Sequence, residues 1–253
     1  MVEYEVLGRV GLIRINRPEA RNAVNAEVAA GMDAAIDKLE GDSEVWAGVV
    51  TGAGPVFSAG ADLKAIAAGE GSSLSTSAGG FGGITRKPRT KPLIAAVNGP
   101  ALAGGCEIAL SCDLIVAATN ATFGLPEVKR SLVAAAGGLF RLPRVLPPKI
   151  AMEIVLTGDP IPAERAYEFG LVNEVVEEGE ALNGAIALAE RICANAPIAV
   201  RLSRAVVLAA DVEDENALWK MSARAMRDVM ETEDFNEGPR AFIEKRPPNW
   251  SGR

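Results

Sequence analysis

The chain has 253 residues, 49% of them apolar and 23% charged, with a formal net charge of −7 and no histidine. That balance describes a soluble globular protein with a substantial core, built as one large domain or a domain with a small appendage. The negative charge argues against general nucleic-acid binding, and the missing histidines remove Ser-His-Asp and Cys-His nucleophilic schemes and the usual zinc sites.

In chain order, Val2–Leu7 and Val10–Ile15 are apolar-rich runs around Gly8 and predict a hairpin. Asn25 is a candidate cap for a helix from Ala26 to Leu39, with Ala29, Met32, Ile36 and Leu39 at helical spacing. Trp46–Thr51 reads as a buried strand, Leu63–Ala68 as a short helix, and the Gly- and Ser-rich Gly69–Gly83 as a mobile loop. Leu93–Val97, Leu114–Ala118 and Thr122–Gly124 continue the strands, with a helix to Ser111 between the first two. After Gly137 the pattern turns helical: Pro148–Leu156, Pro162–Phe169, Ala181–Ala194, Ala199–Ala209, Glu213–Glu231 and Pro239–Glu244, interrupted by a strand at Leu171–Val176. The result is a β/α half followed by a mostly helical half.

No apolar stretch reaches membrane-spanning length, and Met1–Glu5 lacks a basic region followed by an apolar one, so a cytoplasmic protein is expected. Cys106, Cys112 and Cys193 are odd in number and match no metal spacing, which fits reduced thiols.

Acid–base chemistry must then fall to Glu, Asp, Lys, Tyr or Cys. Two segments stand out, Phe57–Lys64 (FSAGADLK) and Asn98–Glu107 (NGPALAGGCE), followed by a corner at Pro126–Glu127. Each of the first two pairs a glycine turn with a helix start, where backbone N–H groups have no partner inside the helix and can bind developing negative charge. Gly104 and Gly105 allow close backbone approach, and Glu107 falls in the first turn of the helix they open. Taken singly, Glu107 and Asp62 read equally well as dipole-favoured first-turn acids, and Pro126–Glu127 as an ordinary corner.

Together with longer stretches, these segments make the chain resemble the crotonase (enoyl-CoA hydratase/isomerase) superfamily over nearly its whole length. The resemblance is carried by Asn16–Ala23 (NRPEARNA), FSAGADLK, Ile94–Ala117, Ala121–Glu127 (ATFGLPE), Leu156–Val176 and Glu237–Trp250. It implies an α/β fold, a spiral of ββα units over residues 1–195, with a C-terminal helical trimerisation region over 196–253. It implies that the N–H groups of Ala61 and Gly104 form an oxyanion hole for the thioester carbonyl of an acyl-CoA substrate. Glu107 would activate water and Glu127 would exchange the proton at the α carbon, hydrating a trans-2-enoyl-CoA. Coenzyme A belongs to the substrate, so neither a separate cofactor nor a metal is implied. Its adenine is expected near Ala59, Asp62 and Leu63. Arg21 would meet its phosphates, as would Lys245, which with Phe242 would come from a neighbouring subunit of a homotrimer or homohexamer.

The stretch after the second glutamate, Val128–Gly138, departs from the glycine- and proline-rich pattern of many hydratases: Ser131 and alanines stand there before the closing Gly137-Gly138. That leaves the acyl group open. Hydration is the leading reading, since both glutamates are present. An isomerase or other enolate-forming relative, and a catalytically silent acyl-CoA-binding protein, are the alternatives.

Overall fold

The computed structural model describes all 253 residues. Strands β1 (Val2–Leu7) and β2 (Val10–Ile15) pair antiparallel about Gly8. Helix α1 (Ala26–Gly41) starts at Asn25, whose side chain accepts from Val28 N–H at 2.9 Å, and buries the stripe Val28, Ala29, Met32, Ala35, Ile36 and Leu39. Strand β3 (Ala47–Gly52) is buried at every residue, the pattern of a parallel strand covered on both faces.

From β3 the chain repeats one circuit: a long strand, a short extended segment after it, then a helical turn. Ser58–Ala61 leads into α2 (Leu63–Ala67). A small hairpin follows, β4 (Ser75–Thr76) with β5 (Gly80–Phe81). Next come β6 (Leu93–Val97), β7 (Ala101–Leu102) and α3 (Gly104–Ser111), then β8 (Leu114–Ala118), β9 (Thr122–Gly124) and a 3₁₀ turn at Pro126–Arg130. After α4 (Gly138–Val145) and α5 (Pro148–Thr157) come β10 (Ile161–Pro162), α6 (Ala163–Glu168), β11 (Glu174–Val176) and α7 (Ala181–Cys193). Helices α8 (Pro197–Ala209), α9 (Glu215–Met230) and α10 (Glu233–Glu244) complete the chain.

The long strands form one sheet in the order β1-β2-β3-β6-β8-β11, parallel except for β1. The short strands form a second ladder. Ala101 pairs with Phe123, Phe123 with Ile161, and single parallel bridges add Ser58 to Ala101 and Val24 to Ala61. The larger core lies between sheet, ladder and α1; a smaller one lies between α7 and the opposite face of the sheet. This is the expected α/β spiral of ββα units. No single helix is long and apolar enough to cross a membrane, and all three cysteines are free.

Four local expectations are corrected. Gly69–Gly83 is not an unstructured loop: a 3₁₀ turn at Gly71–Leu74 and the β4–β5 hairpin occupy it, anchored by buried Leu74. Helix α4 is not evident from the sequence, because paired glycines open it and Pro143 removes one of its bonds. Helix α10 begins six residues before Pro239, where the Thr232 hydroxyl accepts from Phe235 N–H at 3.2 Å. Strand β11 is shorter than Leu171–Val176, since Leu171 and Val172 bond back to Ala166 O instead.

Lys91, almost fully buried, ties α1 to the start of β6: its ammonium donates to Leu39 O at 2.6 Å and Asp42 O at 2.5 Å. These carbonyls lie at the negative end of α1, where a cation is favoured and an unpaired acceptor is costly. Lys91→Met is expected to lower unfolding stability by about 2–4 kcal/mol in urea titration; a change within the error of the measurement would contradict this role.

Candidate active site

The second ladder brings the glycine turns together. Ser58 N–H donates to Pro100 O at 3.3 Å and Leu102 N–H to Ser58 O at 3.0 Å, so FSAGADLK runs parallel to NGPALAGGCE. Ala103 N–H donates to Gly124 O at 2.9 Å, which sets the Pro126–Glu127 corner alongside. Gly60 has φ +86°, and a Cβ there would lie 2.7 Å from the nitrogen of Gly104. Only glycine fits that contact without displacing backbone.

Two free donors result. Val24 N–H donates to Gly60 O and Asp62 N–H to Val24 O, so Ala61, between them, turns its own N–H away from that strand and toward no protein acceptor. Gly104 is the first residue of α3 and its N–H has no partner within the helix. Ala103 just before it holds φ +52°, a conformation an alanine adopts only under constraint. The ring of Phe81 packs onto Gly104, where a Cβ would come within 2.3 Å of it.

Glu107 lies one turn into α3 and is 3% exposed; its Oε1 accepts from Gly138 N–H at 2.9 Å. Burial pushes its carboxyl up to about 7, and the charge of Glu127 acts in the same direction against the N–H groups of Gly138 and Ala136. Glu127, on the 3₁₀ turn, is half-buried with Oε2 shielded and unpartnered, and burial raises its pKa as well. Behind Glu107 stands Arg141 of α4, whose guanidinium donates to Thr85 O at 2.6 Å and Ala136 O at 3.3 Å.

These groups line one cleft of about 920 Å³. It holds seven of the ten residues singled out from the sequence: Arg21, Ala59, Ala61, Leu63, Gly104, Glu107 and Glu127. Asp62 lies beside the cleft rather than in its lining. Its carboxylate pairs with Arg17 at 2.7 Å and caps α2 through Lys64 N–H at 2.9 Å, and the Arg17 guanidinium holds its pKa below the ordinary value. It braces the turn and does not line the cleft. Phe242, 85% exposed, and Lys245 sit at the end of α10 and do not line the cleft of their own chain. A more open polar cleft of about 530 Å³, bordered by Arg14, Asn16, Thr51 and Asn98, contains none of the ten.

Sequence reading missed Phe81, Thr85, Arg86, Ala136, Phe140 and Arg141, all in the cleft wall. The GGLFR run carried the one available signal, since paired glycines opening a helix resemble the turn at Gly104-Gly105. Nothing local marks Phe81, which reaches Gly104 through the hairpin.

The family model described as enoyl-CoA hydratase/isomerase matches residues 5–253. The chain is 41% identical over 247 residues to the carnitinyl-CoA dehydratase of Salmonella enteritidis PT4, covering 95% of this chain and 94% of that one. Among solved structures it is similar to an enoyl-CoA hydratase from Mycobacterium tuberculosis H37Rv, with TM-score 0.96 and 49% identity, covering 100% of this chain and 99% of that one. A carnitinyl-CoA hydratase from Mycobacterium avium matches with TM-score 0.77 and 46% identity, covering 100% and 98%.

The raised carboxyl of Glu107 has a consequence for stability. The folded value of about 7 exceeds the ordinary 4.5, so the native state binds this proton more tightly than the unfolded chain. The stabilisation is complete below pH 4.5 and is lost as pH rises through about 7. Glu107→Gln, which cannot ionise, is therefore expected to exceed the parent protein at pH 8 by up to about 3 kcal/mol and to match it near pH 4. Denaturant titrations at the two pH values check this; equal stability at pH 8 would contradict it.

Proposed function

This chain belongs to the enoyl-CoA hydratase/isomerase family, and on that premise we propose that it hydrates the 2,3 double bond of a trans-2-enoyl-CoA to give a 3-hydroxyacyl-CoA. One observation carries the reading: two carboxyls, buried Glu107 and half-buried Glu127, share a cleft with two backbone N–H groups that have no protein acceptor. An isomerase needs one carboxylate to move a proton between carbons; addition of water calls for two, one on the water and one on the α carbon.

In the proposed step the thioester oxygen accepts from Ala61 and Gly104 N–H. Ionised Glu107 takes a proton from water as the hydroxyl adds to C3. The electron pair of the double bond moves onto the thioester oxygen as an enolate, which the two N–H groups stabilise. Protonated Glu127 then delivers its proton to C2, and the carboxyls exchange one proton to reset. Burial, which raises both pKa values, suits a pair that must hold one proton between them. Dehydration is the same path reversed, so relatives named dehydratase and hydratase call for the same groups. Coenzyme A, as part of the substrate, would lie along Ala59 and Leu63 with its phosphates near Arg21.

Assembly into trimers or pairs of trimers forms part of the proposal. Exposed Trp219 and Met226 on α9, and Phe242 and Ile243 on α10, offer apolar surface for it, and Phe242 and Lys245 would then reach a neighbour's coenzyme A.

Loss of the enoyl absorbance of crotonyl-CoA tests the activity; no turnover on any short or medium trans-2-enoyl-CoA would overturn it. Glu107→Gln and Glu127→Gln are each expected to lower kcat by about 10²–10⁴ with KM changed little. Near-parental turnover in either variant would remove that residue from its assigned role.

A further inference from the structure

The charged groups on the cleft wall have one sign once the two reacting carboxyls are set aside. Arg21, Arg86, Arg130 and Arg141 line it, and no other acidic side chain does. Arg21 sits beside Ala59, whose N–H donates to Arg21 O at 3.0 Å. Arg86 lines the cleft on the side of Phe81. Its methylenes lie over Gly80, where a Cβ would come within 2.9–3.1 Å of them, next to the Phe81 that covers Gly104. Its guanidinium meets no protein carboxylate. Arg141 is held behind it by the carbonyl of Thr85, the residue before Arg86.

Resting on the acyl-CoA reading above, we propose that Arg86, backed by Arg141, makes this cleft select its acyl group by charge, favouring a chain that ends in a carboxylate and rejecting one that ends in a quaternary ammonium. An ammonium tail needs a carboxylate or an open aromatic face. The carboxylates here are committed to the double bond. The ring of Phe140 already carries two guanidinium groups, Arg141 at 5.6 Å and Arg144 at 5.5 Å from its centroid. A distal carboxylate meets the opposite situation: an exposed arginine fork at the cleft wall with no carboxylate partner. A carnitinyl thioester, which ends in trimethylammonium, is therefore a poor match to this chain.

Calorimetric binding of unreactive, saturated thioesters to the full protein at low salt tests this. One pair is 4-trimethylammoniobutanoyl-CoA and its carbon isostere 5,5-dimethylhexanoyl-CoA; the other is glutaryl-CoA and its amide, 4-carbamoylbutanoyl-CoA. The ammonium ester is expected to bind more weakly than its isostere, and glutaryl-CoA more tightly than its amide, each by about threefold to tenfold. Both gaps should shrink with added salt. Arg86→Gln should remove most of the glutaryl preference and Arg86→Glu should invert it, with acetyl-CoA affinity unchanged in both. The proposal is overturned if the charge order is absent, or if it survives Arg86→Glu. It is overturned equally if Arg86→Gln weakens acetyl-CoA as much as glutaryl-CoA, since Arg86 would then serve the coenzyme. Binding without a charge order sinks this proposal alone, whereas failure of every thioester to bind sinks the acyl-CoA reading with it.

Discussion

The contact between Gly60 and Gly104 is the constraint on which the site depends. A thioester oxygen can be held by two backbone donors only if two separate chain segments present them a hydrogen-bond length from one point. That requires the backbone of one turn to pass against the backbone of the next with no side chain between. Gly60 meets the requirement with φ +86° and no Cβ, and Gly105 does so one residue past the second donor, where a Cβ would fall 2.1 Å from Ser58 O. The parallel bonds between Ser58 and the Pro100–Leu102 segment fix the alignment. Sheet, ladder and α1 serve to hold that junction still.

The supports around it explain residues that touch no substrate. Arg17 bonds Ala23 O and Asp62, and Asn22 Nδ2 donates to Ala53 O at 2.9 Å and Val56 O at 2.7 Å. The stretch before α1 is thus tied to both ends of the turn that carries Ala61. The carboxyls pull the other way. Burying Glu107 with a single backbone bond to its Oε1, and leaving Glu127 Oε2 shielded without a partner, costs stability that a glutamine or an apolar side chain would not. The proposed hydration, which passes a proton between two carboxyls, would use that cost, because solvated glutamates would both be ionised near neutral pH.

Much of this was legible in the sequence because the features are local. Asn25 caps α1, the apolar spacing of α1 is the buried stripe, and the turns FSAGADLK and NGPALAGGCE each open a helix. Seven of ten site residues fall in one cleft because they sit on turns that successive circuits of the spiral align. What stayed illegible was contact decided by distant partners. The Asp62 carboxylate pairs with Arg17, 45 residues earlier, which no local pattern announces. The Gly69–Gly83 segment reads as a mobile loop by composition, yet Leu74 and the hairpin pack it onto α1 and deliver Phe81 to the turn at Gly104. Arg141 could not be placed, because it acts through the carbonyl of Thr85, 56 residues away.

The central claim is that the N–H groups of Ala61 and Gly104 together hold the thioester oxygen. Infrared difference spectroscopy of bound butanoyl-CoA carrying carbon-13 at the carbonyl tests it without turnover, since a saturated thioester cannot be hydrated. Two converging donors polarise the carbonyl and weaken its double bond, so the labelled band should move to lower frequency than in water. A bound ester whose carbonyl band stays at its aqueous position would contradict the account.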